Sequence, residues 1–427
     1  MAQKNTNLQA AKNAKNDNFY TRMEDIIEEL QHYTHHFKDK IVYCNCDADW
    51  SNFWKYFHDN FHDLGLKKLI ATHYEEKGLS YKLVYDGCEV KKEDLQGNGD
   101  FRSEECVELL KEADIVSTNM PFSLFRPFMA QLIEYNKKFV VIASMNAITY
   151  KEFFPLLKDN KVWLGYNSVK EFIKPDGSTQ KFGNICWYTN LDIDKRHKEL
   201  VLTKKYNPKD YPKYDNYDAI ECNKVANIPA DYFPCWYFCD KADVCEYAQK
   251  RGVGDSIACC DADETANKCN GVIGVPITFL EDYLPEQFGI VGLTSGRDEF
   301  ECRPIKRYEN ARQHNPDGSI TNGSKANTRA TLPTKDDGST YYTADNSDEK
   351  LKIVYARVLI QRKCNGMIGV PITFLDKYNP DEFEIVGCSS ELAKAVEIDG
   401  KTKDNPQRFY VDGKRLYDRI VIKKKQK

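Results

Sequence analysis

Residues 117–122, Ser-Thr-Asn-Met-Pro-Phe, bring together the residue types best suited to chemistry in this sequence. The carboxamide oxygen of Asn119 can accept a hydrogen bond from an exocyclic amine, and the backbone carbonyl of Met120 can accept a second one. Pro121 stiffens the turn, and Phe122 offers a face for stacking on a base, worth about 1–3 kcal/mol. The pattern favours a site for a planar ring with an amine, although ordinary strand-to-helix turns use the same residue types.

The elements that must position this turn are short apolar runs between residues 19 and 191 that alternate with amphipathic stretches. The runs are rich in β-branched residues and nearly continuous, as in strands buried on both faces. The predicted strands are 41–47, 67–74, 113–119, 137–146, 161–166 and 186–191. Helices are predicted over 50–61, with Asp49 or Ser51 as N-cap, and over 122–138. This alternation predicts a parallel α/β sheet that binds its ligand beyond the carboxyl ends of the strands.

Length and charge restrict the function classes. The 427 residues predict two or more domains, and 12% aromatic residues argue against global disorder. With 61 basic and 65 acidic residues, the chain as a whole is not a cationic binder of nucleic acid. Any such surface must be local, and the C-terminal KRLYDRIVIKKKQK is one candidate, unless it is only a solubilising tail.

The termini and cysteines predict a cytoplasmic protein. Residues 1–18 are polar and predicted to be flexible, with no apolar core of a signal peptide. No apolar run approaches the ~18 residues of a membrane span. The 15 cysteines are therefore expected to be reduced thiols.

One segment occurs twice. CNGVIGVPITFLEDYLPEQFGIVG at 269–292 recurs as CNGMIGVPITFLDKYNPDEFEIVG at 364–387, and each copy later reaches a similar run, YARVLI or YDRIVI. Two copies are too few for a solenoid, so we interpret them as a duplicated binding or recognition module. Between them, residues 306–350 are polar and rich in Gly, Asn, Asp and Thr, and we expect long loops there.

The stretch 233–269 is unusually rich in cysteine. Four thiolates could hold zinc tetrahedrally, and the candidates are Cys235, Cys239, Cys245 and Cys259. Their spacing lacks a repeated C-x2-C knuckle, so an insert of reduced, partly buried thiols is the alternative.

The turn at 119–122 also carries a resemblance. NMPFSLF resembles the Asn-Pro-Pro-Phe signature of adenine-specific amino methyltransferases, and the surrounding sequence resembles the EcoRI-like DNA adenine methyltransferases over residues 17–292. The resembling segments, in the family's order, are 17–22, 37–57, 65–74, 97–103, 113–128, 146–154, 186–200, 211–224 and 272–280.

The resemblance implies a Rossmann-like domain that uses S-adenosylmethionine to methylate N6 of an adenine flipped out of double-stranded DNA. Asn119 and the Met120 carbonyl would hold the amine, and Phe122 would stack on the base. Met120 departs from the family, which has proline there, so reduced activity or a decayed, non-catalytic DNA-binding homologue is one alternative. RNA or a protein amide as the acceptor is another. The missing G-x-G-x-x-G disfavours a nicotinamide-dependent oxidoreductase.

The resemblance also implies a cofactor site. Its candidate residues are Phe19, Tyr20, Thr21, Cys44, Asp47, Asp100 and Phe101. Asp47 would bind the amino group of the cofactor and Asp100 the amine of its adenine, while Glu75 or Glu76 could bind the ribose hydroxyls. The alternative for Cys44 is that it is only a small buried thiol. The alternative for the two glutamates is that they lie in a solvated charged loop.

We therefore predict an α/β chain in five parts with a C-terminal duplicated recognition region. The parts are a flexible 1–18, a catalytic domain at 19–200, a connector with the Cys-rich insert at 201–268, and recognition modules at 269–363 and 364–427. The resemblance further implies a monomer that acts on DNA, away from membranes, in a bacterial or phage modification system with a separately encoded restriction endonuclease.

Overall fold

The computed structural model describes residues 19–75, 79–174, 176–230, 232, 272–295 and 304–362, and the backbone of five more strands between 367 and 424. The chain divides into two compact units, residues 1–198 with 280–282, and residues 199–279 with 283–427. The division into five parts stays a prediction, and residues 1–18 and the Cys-rich insert lie outside the described residues.

Among the described residues, the first unit contains nine strands and six α-helices. The strands are β1 Tyr20–Thr21, β2 Ile41–Asn45, β3 Lys68–His73, β4 Tyr81–Tyr85, β5 Val90–Asp94, β6 Ile115–Thr118, β7 Lys138–Ser144, β8 Trp163–Ile173 and β9 Thr179–Thr189. The helices are α1 Met23–Leu30, α2 Thr34–Phe37, α3 Asn52–Asp59, α4 Glu104–Glu112, α5 Phe125–Glu134 and α6 Phe154–Lys158. Short 3-10 turns lie at Gln31–Tyr33, Phe122–Leu124, Met145–Thr149 and Asp194–His197.

The nine strands form one mixed sheet in the order β1-β8-β9-β7-β6-β2-β3-β4-β5. The α/β prediction is confirmed, and the four central strands β7, β6, β2 and β3 pair in parallel. A wholly parallel sheet is wrong, because β8 and β9 on one side and β4 and β5 on the other pair antiparallel. Their connections are short, and short connections can only join antiparallel neighbours.

Burial explains why these segments adopt this fold. Every residue of β2 is buried, as expected for a strand covered on both faces. Helix α3 buries Phe53, Trp54 and Phe57, each contributing about 1.5–3 kcal/mol of burial free energy. Of the two N-cap candidates, Ser51 caps this helix, accepting a hydrogen bond from the Trp54 N–H at 3.1 Å.

A buried carboxylate joins α1 to strand β8. Glu29 is fully buried, and it accepts hydrogen bonds from the Tyr33 hydroxyl at 2.7 Å and from the backbone N–H of Tyr166 and Asn167 at 2.9 and 2.8 Å. Burial raises the pKa of Glu29. The carboxylate fits only because residue 165 is glycine, since a β-carbon there would collide with it and lie 2.8 Å from Cβ of Trp187.

We therefore expect Gly165→Ala to lower the free energy of unfolding by about 1–3 kcal/mol through overpacking. Thermal unfolding followed by circular dichroism measures this effect. Gly97→Ala is the control, because its β-carbon would meet no atom closer than 3.4 Å. Equal stability of both variants would contradict this account of the Glu29 contact.

The second unit is built mainly from strands, and among the described ones β10 and β11 pair in parallel. Its strands are β10 Ile220–Glu221, β11 Val272–Pro276, β12 Phe288–Leu293, β13 Arg312–His314, β14 Ile320–Asn322, β15 Thr331–Pro333, β16 Tyr341–Ala344, β17 Ser347–Ile353, β18 Arg357–Arg362, β19 Met367–Val370, β20 Phe383–Cys388, β21 Phe409–Val411, β22 Lys414–Leu416 and β23 Ile420–Lys424. Its described 3-10 turns are Val225–Asn227 and Ser324–Thr328, and another, Ile277–Glu281, spans the boundary between the units. The sheet orders are β10-β11-β18-β12, β14-β13-β16-β17-β15, β19-β23-β20 and β21-β22.

The prediction of long loops over 306–350 is wrong. This segment contributes four strands and most of a fifth to an antiparallel five-stranded sheet. Several of the strands have only three or four residues, and they carry exposed polar side chains such as Arg312 and Thr321. Such strands lack the apolar alternation that predicts a half-buried strand.

The two copies of the repeated segment have the same strand pairing. In the first, β18 lies between β11 and β12, with a register shift between Ile290 and Gly292. In the second, β23 lies between β19 and β20, with a register shift between Ile385 and Gly387. The shifted residues occupy matching positions of the repeat, as expected for a β-bulge carried by both copies. Among the described residues, no helix is long and apolar enough to cross a membrane.

Candidate active site

The carboxyl ends of the parallel strands β2 and β6 form the centre of the site. These strands are neighbours, with Tyr43 opposite Val116. Each therefore delivers its following turn to the same edge of the sheet. Thr118 joins the two turns, because its hydroxyl lies 2.6 Å from a carboxylate oxygen of Asp47 and also contacts the Asn45 carbonyl. The structure thus brings together the two polar turns that the sequence analysis singled out.

Asp47 is a buried acid with few compensating contacts. It is 7% exposed, and this burial raises the pKa of its carboxyl to about 7, while hydrogen bonds with Thr118 and Ser51 oppose the shift. The preceding Cys46 adopts a φ of 77°, which residues with a side chain rarely do. A carboxylate kept out of water without a cationic partner favours binding of a positively charged group.

Asn119 is held by the N-terminal strand. Its Nδ2 donates a hydrogen bond to the backbone carbonyl of Phe19 at 2.5 Å. Because a carbonyl can only accept, the amide is oriented with its nitrogen on Phe19, which leaves Oδ1 as the acceptor for another group. The Met120 side chain is 1% exposed, and Pro121 has a φ of −55° and accepts from the Leu124 N–H at 2.9 Å.

The ring of Phe122 belongs to an aromatic cluster. Phe19 lies nearly parallel to it at 6.5 Å between centroids, and Phe172 and Phe182 meet it edge-on at 5.9 and 6.4 Å. Phe122 itself is half-buried, so part of its surface is accessible. Phe19 directly precedes β1, and Phe172 and Phe182 lie on β8 and β9. The sequence analysis missed Phe172 and Phe182 because nothing in their local pattern marks them.

The neighbouring residues Asp100 and Phe101 have different surroundings. Arg102 lowers the pKa of Asp100 through a double hydrogen bond, with its Nε at 2.8 Å and a second guanidinium nitrogen at 2.6 Å. Phe101 is 2% exposed and packs edge-on against Phe128 at 5.2 Å. A role for Asp100 in accepting from an amine therefore requires that it share its carboxylate with Arg102, and Phe101 offers little free surface.

The loop that carries Asp100 is attached to the end of β3. The Glu75 N–H donates to the Asn98 carbonyl at 3.1 Å. Gly99, at a φ of 75°, packs so closely on the His73 backbone that a β-carbon would collide with it. Glu75 and Asp100 are thus carried by adjoining loops, as a shared nucleoside site would require, whereas Glu76 lies outside the described residues.

Three buried polar atoms near the two turns have no hydrogen-bond partner among the described residues: Thr21 Oγ1, Asn45 Nδ2 and Ser117 Oγ. Such orphans are costly in a folded protein and call for a ligand or water. Together with Asp47, they are a donor and acceptor set suited to an amino-acid group with its ammonium and carboxylate. The residues present therefore fit the methionine end of S-adenosylmethionine.

The remaining candidate residues differ in exposure. Tyr20 packs its ring edge-on against Trp50 at 4.6 Å, and Trp50 is 46% exposed. The Cys44 side chain is fully buried in the apolar core, so only its backbone can face the site. Trp50 and Thr118 were given no role in the sequence analysis, although Thr118 lies within the segment 117–122 and Trp50 follows Asp47 closely. All four zinc candidates lie outside the described residues. Within the described residues, no group of three or more His, Cys, Asp or Glu side chains could hold a metal ion.

The comparison with known families decides which family the chain belongs to. The family described as adenine-specific methyltransferase EcoRI matches residues 7–236, 252–363 and 364–425, which is nearly the whole chain. The chain belongs to the EcoRI family of adenine-specific methyltransferases. It is therefore a methyltransferase, and the resemblance seen in the sequence is confirmed.

Individual members of the EcoRI family are similar over most of the chain. The Type II methyltransferase M.EcoRI of Escherichia coli is 44% identical over 342 residues, covering 70% of this chain and 93% of that protein. M.MpnI of Mycoplasma pneumoniae is 38% identical over 303 residues, covering 66% and 83%. M.MgeORF184P of Mycoplasma genitalium is 37% identical over 305 residues, covering 66% and 84%. No solved structure shows significant similarity to the chain.

Proposed function

We propose that this member of the EcoRI family transfers a methyl group from S-adenosylmethionine to N6 of an adenine that is flipped out of double-stranded DNA. The observation that carries the proposal is the junction at β2 and β6, where Thr118 contacts Asp47 and the next residue, Asn119, has its amide oxygen free of the Phe19 contact. An acid suited to a cationic ligand thus adjoins an acceptor suited to an amine.

The cofactor supplies an electrophilic methyl group on a sulfonium, so the protein needs neither a metal nor a covalent intermediate. Asp47, with the orphaned Thr21 and Asn45 groups, would hold its amino-acid end, and Glu75 and Asp100 would hold its ribose and adenine. Phe19, Tyr20 and Thr21 would cover the methionine side. We propose that these residues belong to a Rossmann-like catalytic domain that spans residues 19–200.

On the substrate side, Asn119 and the Met120 carbonyl would accept the two hydrogens of the adenine amine. Transfer would break the sulfonium S–CH3 bond, form the N6–CH3 bond and leave a neutral thioether. N6 would be positive until it releases one proton to solvent, and these two oxygen dipoles would stabilise that charge. Phe122 would stack on the base. A target atom inside a stacked duplex cannot be reached in line, so extrusion of the adenine is required.

We assign DNA recognition to the second unit. The shared strand pairing of the two repeat copies supports a duplicated recognition module, with copies at 269–363 and 364–427. The family match resumes at residue 364, where the second copy begins. A monomer acting on one adenine at a time, within a modification system that has a separate endonuclease, completes the proposal.

Sequencing that detects N6-methyladenine in DNA from cells expressing the protein tests this function and identifies the methylated site. The expected result is methylation at one sequence context, absent from cells without the gene. Transfer of labelled methyl groups to purified duplex DNA, RNA and protein then compares the acceptors. Incorporation into RNA or protein alone would overturn the choice of DNA.

Met120 replaces the proline of the family signature, and its effect is measurable. Proline at 120 would fix φ and restrict the conformations of the loop, a conformational-entropy effect of about 0.4–1 kcal/mol. If the active conformation benefits by that amount, the Met120→Pro variant should transfer methyl groups about 2–5-fold faster. Since the Met120 side chain is buried, the same change should lower the free energy of unfolding by about 1–3 kcal/mol. Initial rates at saturating cofactor provide the test. A slower variant would refute the rigidity argument, and inactivity of both proteins would refute catalysis.

A further inference from the structure

We infer that Phe19 and strand β1, which directly follows it, are a positioning element that couples the cofactor side of the site to the orientation of the Asn119 amide. This inference rests on the proposed function and extends it. Its physical content is one hydrogen bond, from Nδ2 of Asn119 to the carbonyl of Phe19, between residues 100 positions apart in the chain. The bond determines which end of the carboxamide faces the substrate.

The orientation matters because the two ends of the amide have opposite hydrogen-bonding character. An adenine amine can donate to Oδ1 but is opposed by the Nδ2 hydrogens. With nothing on Nδ2, the amide could turn by 180° and present the wrong end. The Phe19 carbonyl accepts only from nitrogen, so it selects the productive orientation before the base arrives, at no cost in reorganisation during the reaction.

Strand β1 is also attached to the cofactor turn. The Thr21 carbonyl accepts a hydrogen bond at 2.8 Å from Nδ2 of Asn52, in the first turn of the helix that follows Asp47. The Tyr20 ring contacts Trp50, which lies just before that helix. Phe19 therefore contacts the loop that carries Asn119, while the two residues of β1 contact the segment that follows Asp47.

The buried Phe19 ring packs against Phe122, Phe172 and Phe182, but the backbone pairing that follows it is short. β1 has two residues and stands at the end of the sheet order, where it pairs with β8 through Tyr20 opposite Ile173 and Thr21 opposite Phe172. A short edge segment opens locally at low free energy. Loss of the Asn119 contact should therefore loosen β1, and a ligand that orders β1 should in turn orient Asn119.

Asn119→Asp separates the positioning role from the acceptor role. The aspartate keeps an oxygen for the amine, and its charge favours the positive N6, so a pure acceptor role predicts activity near that of the wild type. Positioning predicts the reverse, because a carboxylate cannot donate to the Phe19 carbonyl and would repel it. We expect a loss of at least about 10²-fold in methyl transfer, together with weaker binding of S-adenosylmethionine and faster amide hydrogen exchange at residues 19–21.

Asn190→Asp is the matched control. Its Nδ2 also donates to a backbone carbonyl, that of Lys137 at 2.9 Å, and its Oδ1 also remains an acceptor. This variant should leave cofactor affinity and exchange at residues 19–21 unchanged. The inference is overturned if Asn119→Asp keeps exchange and cofactor affinity at wild-type values. Both readouts need no turnover, so they remain decisive even if the wild type methylates no DNA and the proposed function fails.

Discussion

Asn119→Ala should abolish most methyl transfer while leaving a folded protein. The substitution removes the acceptor that faces the amine, and loss of one such group from a preorganised site typically costs about 10²–10³-fold in rate. The side chain lies outside the apolar core, so its removal should loosen β1 without unfolding the protein. Single-turnover methylation of a duplex containing the mapped site, with DNA binding measured in parallel, tests this prediction.

The control for that result is Asn190→Ala, which removes hydrogen bonds with the backbone of Lys137 and Phe139. It should lower stability by about 1–3 kcal/mol, since buried backbone groups lose partners. The rate per folded molecule should not change. If Asn119→Ala retained more than a tenth of the wild-type rate, Asn119 would not be the amine acceptor.

Asp47→Asn should lower the affinity for the cofactor and raise the thermal stability of the protein. It removes the negative charge proposed to bind the cofactor ammonium, so S-adenosylmethionine affinity should fall by about 10²-fold, as for a charge-assisted contact of 2–3 kcal/mol. It also removes an acid that is costly to ionise in the folded protein, so the variant should unfold at a higher temperature near pH 8. Isothermal titration and thermal unfolding measure the two effects separately.

The pH dependence follows from the pKa of Asp47, which burial raises from 3.8 to about 7. Between these values the folded protein holds a proton that the unfolded chain has released, so this group makes stability fall as pH rises from about 4 to 7. The gain from Asp47→Asn should therefore be largest above pH 7 and vanish near pH 4. Cofactor affinity of the wild type should weaken below pH 7, as Asp47 becomes neutral.

Asp49→Asn is the control, two residues away. This exposed carboxylate hydrogen-bonds to Lys92 at 2.9 Å and to the Tyr81 hydroxyl at 3.0 Å, and Lys92 lowers its pKa. The Asp49 carboxylate therefore stabilises the folded protein above its unfolded pKa, and this stabilisation is lost as pH falls. The Asp49→Asn variant should gain no stability. Equal cofactor loss in both variants would show that Asp47 has no specific role.

Parts of the fold could be read from the sequence because their signals are local. The four central strands are continuous apolar runs, and burial on both faces leaves such runs with no polar alternative. The helix after Asp47 was evident from its apolar face and its Ser51 cap. Strands β4 and β5 were missed, because β4 is only half-buried, β5 is exposed and the edges of a sheet need no apolar pattern. Strands β8 and β9 overlap the predicted strands 161–166 and 186–191, but their antiparallel direction was not predicted.

The candidate site divides in the same way. The Asn-Met-Pro-Phe turn and Asp47 were identifiable because each is a compact polar motif directly after an apolar strand. Nothing local predicted that Arg102 binds Asp100 or that Phe101 is buried against Phe128. Those outcomes depend on how a loop packs on helices distant in sequence, and packing is a property of the assembled core.

By itself, the sequence determined the family and the α/β class and pointed to the turn at 119–122 as the candidate acceptor, because family signatures and hydrophobic runs are written in consecutive residues. Only the tertiary structure decided that Thr118 contacts Asp47 and that Phe19 orients Asn119. Each of these contacts joins residues at least 71 positions apart. Such contacts form only after the sheet has aligned the ends of its strands. A hydrogen bond between residues distant in the chain leaves no trace in the local periodicity of the sequence.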